Sequence, residues 1–147
     1  MLTRDETATL FAAAKREGVT VNDLLVRDVF VATERVVERH WPERAGGLQR
    51  IMVPTNLRAA DDGRLPACNV VAMINVDRRP GRWTDRHRML RVLHWELSLV
   101  KRLRLGIIFV QVLHVLQTLF GSLRRFLPTD RCQATGVVSN LGPVFDS

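Results

Sequence analysis

The stretch NVVAMINV, residues 69 to 76, most constrains what this chain can fold into. It is almost continuously apolar, too short for a globular helix, and has polar residues only toward its two ends. A run of this kind reads as a strand buried on both faces. Such a strand cannot exist alone, because each face needs a layer to cover it. Two further runs have the same character. RIMVPTNLR, residues 50 to 58, is a strand over 50–57 with an internal Pro54. A proline cannot donate to a sheet ladder, so this strand lies at an edge or bends there. QATGVVSN, from Gln133 to Asn140, supplies a third strand over 133–139.

The segments around these strands carry helical signals. Thr3 and Glu6 have the spacing of a capping box, in which a hydroxyl and a carboxylate satisfy each other's backbone N–H groups. A helix from about Arg4 to Lys15 follows, closed near Gly18. Thr20 and Asp23 repeat the start signal, and capping accounts for Asp23. Val21, Leu24, Leu25, Val29, Ala32 and Val36 then recur at helical spacing, so a second helix runs to about His40, before Pro42. A third begins at Thr84 as its cap and continues through Lys101, with Met89, Leu90, Leu93, Leu97 and Val100 as its apolar stripe.

Residues 105 to 123 contain no charged side chain and are flanked by Lys101, Arg102 and Arg104 on one side and Arg124 and Arg125 on the other. This is the chain's nearest approach to a membrane span. Gln111, His114, Thr118, Ser122 and Arg125 recur at three- and four-residue steps, however. An amphipathic helix covering the sheet is therefore favoured over a span, with a helix lying at a membrane surface between the two. Pro128 closes it.

Composition narrows the function classes. The 147 residues, 46% of them hydrophobic, suffice for one core and one domain. The N-terminus lacks the basic and apolar regions of a secretory signal, which favours a cytoplasmic setting. Cys68 and Cys132 lack CxxC partners and read as reduced thiols, not zinc ligands. Residues 1 to 77 carry 10 Lys/Arg against 11 Asp/Glu, and residues 78 to 147 carry 12 against 4, so the whole basic excess lies in the second half. Of the 22 basic residues 20 are Arg, Tyr is absent, and nine aromatics leave little for stacking on bases, which argues against nucleic acid. The excess also suits a phosphorylated carrier. The four histidines, His40, His87, His94 and His114, form no HExxH, HxxxH or HH motif; His87 and His94, seven apart, share a helix face and read as surface residues. No GxSxG, P-loop or GxGxxG is present, so motifs alone supply no nucleophile with its base.

The order of motifs carries a resemblance. TVNDLLVRDVFVA, then IMVPTNLR, then Asn69 opening an apolar strand, a helical stretch, and GVVSNLGPV resembles the C-terminal half of the condensation-domain and alcohol acyltransferase group, which shares the chloramphenicol acetyltransferase-like fold. It spans roughly residues 5 to 145. The resemblance implies an α/β, two-layer helix-on-sheet sandwich forming one half of that fold, truncated within a domain. Family members build a tunnel between two halves, and their general base is the second His of an HHxxxDG motif in the N-terminal half. That motif does not occur in this sequence.

By the same resemblance, Ser139 and Asn140 offer hydrogen-bond donors toward the acyl group, and Gly142 allows close backbone approach. Asn56, Arg58 and Asn69 support the tunnel wall. A thioester of coenzyme A or of a phosphopantetheinyl carrier protein is the implied co-substrate, with no tightly bound cofactor and no metal. The implied partners are the N-terminal half-domain and a further copy of the chain. A non-catalytic interaction or scaffold module derived from the fold is the alternative.

Overall fold

In the computed structural model, residues 3–56, 71–79, 85–121 and 134–139 are described. The order is α1 (Arg4–Glu17), α2 (Val21–His40), a 3₁₀ turn (Pro42–Arg44), β1 (Gln49–Asn56), β2 (Val71–Arg78), α3 (Arg86–Arg102), α4 (Leu105–Phe120) and β3 (Gly136–Val137). The fold is mixed α/β.

The helix boundaries follow local chemistry. Both capping boxes form: Thr3 with Glu6 opens α1, and Thr20 with Asp23 opens α2. Gly18 ends α1 in the left-handed conformation at φ 67°, which a side chain resists. The cap of α3 is Asp85, whose carboxylate accepts from the backbone N–H groups of His87 and Arg88; Thr84, the expected cap, lies outside the described residues. These bonds, led by that from Arg88, hold the Asp85 carboxyl below its usual range.

All three expected strands share one sheet, in the order β2-β1-β3. β1 pairs antiparallel with β2, with Gln49 opposite Arg78 and Asn56 opposite Val71. β3 runs parallel to β1, with Ile51 opposite Gly136 and Met52 opposite Val137. β1 is thus central, so of the two alternatives for Pro54, an edge strand or a bend, the edge is excluded. Pro54 is tolerated for a geometric reason. The backbone groups of Arg50 and Met52 face β3, bonding Thr135 and Val138, and by strand alternation the missing N–H of Pro54 falls on that same side, beyond the paired residues of β3.

The core lies between this sheet and helices α2 and α3. Val26 and Phe30 of α2, Ile51 and Val53 of β1, Val76 of β2, Met89, Leu93 and Leu97 of α3 and Val138 form one buried cluster. Ala14, Leu24 and Leu90 form a smaller one that docks α1.

Two expectations are corrected here. β2 is buried on one face: Ala72 and Val76 are buried, whereas Val71, Met73 and Asn75 are exposed, because α2 and α3 cover one side of the sheet and no described element covers the other. α4 meets β2 but leaves most of its own apolar surface uncovered. The chain bends by 59° between α3 and α4, at Arg104, a non-glycine residue with φ 51°. Gly106 is buried and Leu113 and Leu116 are half-buried, but Leu105, Ile108, Val112, Val115 and Leu119 are all exposed. Among the described residues no single helix is long and apolar enough to cross a membrane.

Candidate functional site

Of the expected site residues, Asn56 and Ser139 are described, and both lie at the same end of the sheet. Because β1 and β3 are parallel neighbours, PTN and VSN leave the sheet in the same direction. The register carried two places further sets Ser139 beside Pro54, and Val138 N–H donates to the Met52 carbonyl at 3.0 Å just before it. Ser139 and Asn56 are both exposed at this edge. Arg58, Asn69, Asn140 and Gly142 lie outside the described residues, as do Cys68 and Cys132.

A small cleft of about 110 Å³ opens beside Asn56, between the end of β1 and the α3–α4 bend. Thr55, Asn56 and Ile74 form its sheet side, and Val100, Lys101, Arg104, Gly106 and Ile107 its helix side. The Thr55 hydroxyl is buried there with no hydrogen-bond partner among the described residues. A buried hydroxyl of this kind is a donor awaiting an acceptor. Lys101 and Arg104 add two positive charges at the rim, so the edge combines neutral donors with a field attractive to an anion.

A second constellation escaped the sequence reading. Asp23, almost fully buried at the start of α2, accepts from Thr20 N–H at 2.8 Å and pairs with His94 Nδ1 of α3 at 2.7 Å. A carboxylate only accepts, so Nδ1 of His94 carries a proton in this contact. One turn-pair earlier on α3, His87 Nδ1 lies 3.2 Å from Glu17 of α1. Asp23 is thus more than a cap, and His94 more than a surface histidine: together they clasp α2 to α3. The seven-residue spacing of His87 and His94 was the available signal, since it sets both on the face of α3 that meets α1 and α2. His40 stacks obliquely against Trp41, and His114 stands on the exposed α4, so neither joins a site among the described residues.

Chemically, the sheet edge can orient and polarise a bound group, but no histidine or carboxylate among the described residues lines the cleft beside it. The imidazole of His94 belongs to the helical layer. Among the described residues no group of three His, Cys, Asp or Glu side chains is placed to hold a metal ion. Compared with protein-family models, curated proteins and solved structures, the chain matches none.

Proposed function

We infer that this chain is the C-terminal, tunnel-forming half of an acyltransferase or condensation enzyme with a chloramphenicol acetyltransferase-like architecture. In this reading the enzyme moves an acyl group from a thioester to an alcohol or amine. The observation that supports it is the parallel pairing of β1 with β3, which brings Asn56 and Ser139 to the same end of the sheet beside a donor-lined cleft.

The acceptor's oxygen or nitrogen attacks the thioester carbonyl as its proton passes to a neutral imidazole supplied by the other half; the C–S bond then breaks, and the departing thiolate takes that proton to leave as the free thiol. Charge develops on the carbonyl oxygen, where Ser139 and Asn140 stand as donors and Gly142 allows close approach. Tunnel support falls to Asn56, Arg58 and Asn69. Lys101 and Arg104 attract the phosphates of coenzyme A or of a phosphopantetheinyl arm. General-base assistance is worth about 10²- to 10⁴-fold, or roughly 3 to 5 kcal/mol of barrier. A half without that base polarises its substrate and does little more.

The test is reconstitution. The isolated chain, incubated with acyl-coenzyme A and a panel of alcohols and amines, gives turnover equal to buffer, and adding a separately expressed half that carries HHxxxDG restores transfer. Turnover by the isolated chain at ordinary enzyme rates, abolished by His94→Ala, would refute the reading and move the base onto α3. The exposed stripe of α4 favours a second reading, a non-catalytic interaction module. Stable association with that half without any turnover would select it.

A further inference from the structure

α3 is held in the core by Met89, Leu90, Leu93 and Leu97, and the bend of 59° at Arg104 turns α4 out of line with it. α4 itself buries one residue, Gly106. Leu105, Ile108, Val112, Val115 and Leu119 run along it as a stripe at three- and four-residue steps, with Leu119 71% exposed, and Phe109 beside them is 54% exposed. A contiguous apolar surface of this kind on a water-facing helix marks a place where something docks.

Charge decides what docks there. Between Glu96 and Asp130 the chain has no acidic residue and five basic ones, Lys101, Arg102, Arg104, Arg124 and Arg125. The first three are exposed at the root of α4 and form no ion pair among the described residues; Arg124 and Arg125 lie outside the described residues. A second copy covers the stripe but brings further positive charge and no carboxylate to answer it. Nor does α4 carry the charges that fix the register of a helical partner. The positions flanking the stripe are Phe109 and Leu116 on one side and Gln111 and Thr118 on the other. An anionic bilayer covers apolar side chains without any register and supplies the negative charge.

We propose that α4 docks this chain on an anionic lipid surface, its apolar stripe facing the acyl chains and Lys101, Arg102 and Arg104 meeting the headgroup phosphates. Length decides how the helix sits. Its 16 residues make about 24 Å, short of the roughly 30 Å hydrocarbon core. His114 and Gln117 fall on the side away from the stripe, and both are exposed, so α4 lies along the surface with that side toward water. Guanidinium groups suit phosphate oxygens, which they hold through paired N–H donors. This reading and the acyl-transfer reading share Lys101 and Arg104 as groups that attract anions, but they are tested apart, because binding to vesicles needs no acyl donor.

Flotation of the full chain with phospholipid vesicles tests it. The chain binds vesicles of about two parts phosphatidylcholine to one of phosphatidylserine at least about tenfold more tightly than phosphatidylcholine alone, and the difference shrinks as salt rises. Lys101→Gln with Arg102→Gln weakens that binding by about tenfold or more, whereas removing two exposed charges elsewhere, Arg16→Gln with Arg39→Gln, changes it by less than about threefold. Ile108→Gln with Val115→Gln leaves the charge unchanged and also weakens binding by about tenfold or more, with the far-ultraviolet circular dichroism of the parent. Indifference to that pair would reduce the contact to adhesion of a basic protein and overturn the proposal. So would equal affinity for neutral vesicles, or absence of binding at millimolar lipid. Oligomers that persist unbound beside anionic vesicles would overturn it too, and would assign the stripe to a second copy.

Discussion

Replacing Asp23 by Ala should cost about 2 to 4 kcal/mol of folding stability. The carboxylate does two jobs from one buried position: it completes the capping box of α2 by accepting from Thr20 N–H, and it holds His94 Nδ1 across the α2–α3 interface. Loss of a cap interaction costs about 1 kcal/mol, and a hydrogen bond to a charged group contributes about 1.5 to 3 kcal/mol. The carboxylate also sits at the positive end of the α2 dipole, a contribution of about 0.3 to 1 kcal/mol. These overlap, and His94, about a third exposed, recovers water when its partner leaves, so the total falls short of their sum. Urea unfolding followed by circular dichroism measures the difference. Thr20→Ala should cost only about 1 kcal/mol, because it touches the cap alone. The decisive quantity is the coupling in the double-mutant cycle of Asp23→Ala with His94→Ala, expected at about 1 kcal/mol or more. A coupling below about 0.5 kcal/mol would refute the clasp and return Asp23 to a purely local role.

Three further outcomes follow from particular contacts. Arg50 hydrogen-bonds Asp77 through two nitrogens at 2.7 Å, which is the main reason the Asp77 carboxyl is held below its usual range. Its contribution is therefore full above the ordinary carboxylate range and is lost as pH falls through the lowered value. Asp77→Asn should be slightly less stable than the parent near neutral pH, the pair being more than a third exposed, and the gap should close in acid denaturation curves. On α4 the exposed residues Leu105, Ile108, Val112, Val115 and Leu119 fall at alternating three- and four-residue steps. Sedimentation should show dimers or larger species, and the pair Ile108→Glu with Val115→Glu should shift them to monomer; a compact monomeric parent would contradict this. At the α3–α4 bend, Arg104→Val should be less stable than Arg104→Gly by about 1 kcal/mol in the same urea assay, since a β-branched residue resists the left-handed conformation at φ 51°.

What the sequence by itself determined is what neighbours along the chain decide. Thr3 with Glu6 and Thr20 with Asp23 are contacts between residues three apart, Gly18 stops α1 through its own dihedral freedom, and the three apolar runs became strands because their lengths allow little else. The polar stripe of α4 was legible too, but a stripe does not say whether anything packs on it. Cover is a tertiary matter: α2 and α3 took one face of the sheet, and that left β2 one-sided and α4 exposed against expectation. Strand order was equally hidden, since the bond between Arg50 and Thr135 spans 85 residues and only assembly makes β1 central, with Pro54 on the β3 side beyond the described pairs. The same holds for function. Motif order pointed to the Asn56 and Ser139 edge, whereas His94 reaches Asp23 across 71 residues that no spacing rule connects. Local rules govern contacts within a helical turn or along a strand. Contacts between distant residues exist only when the burial of Phe30, Ile51, Leu93 and Leu97 outweighs the entropy of closing the loops between them.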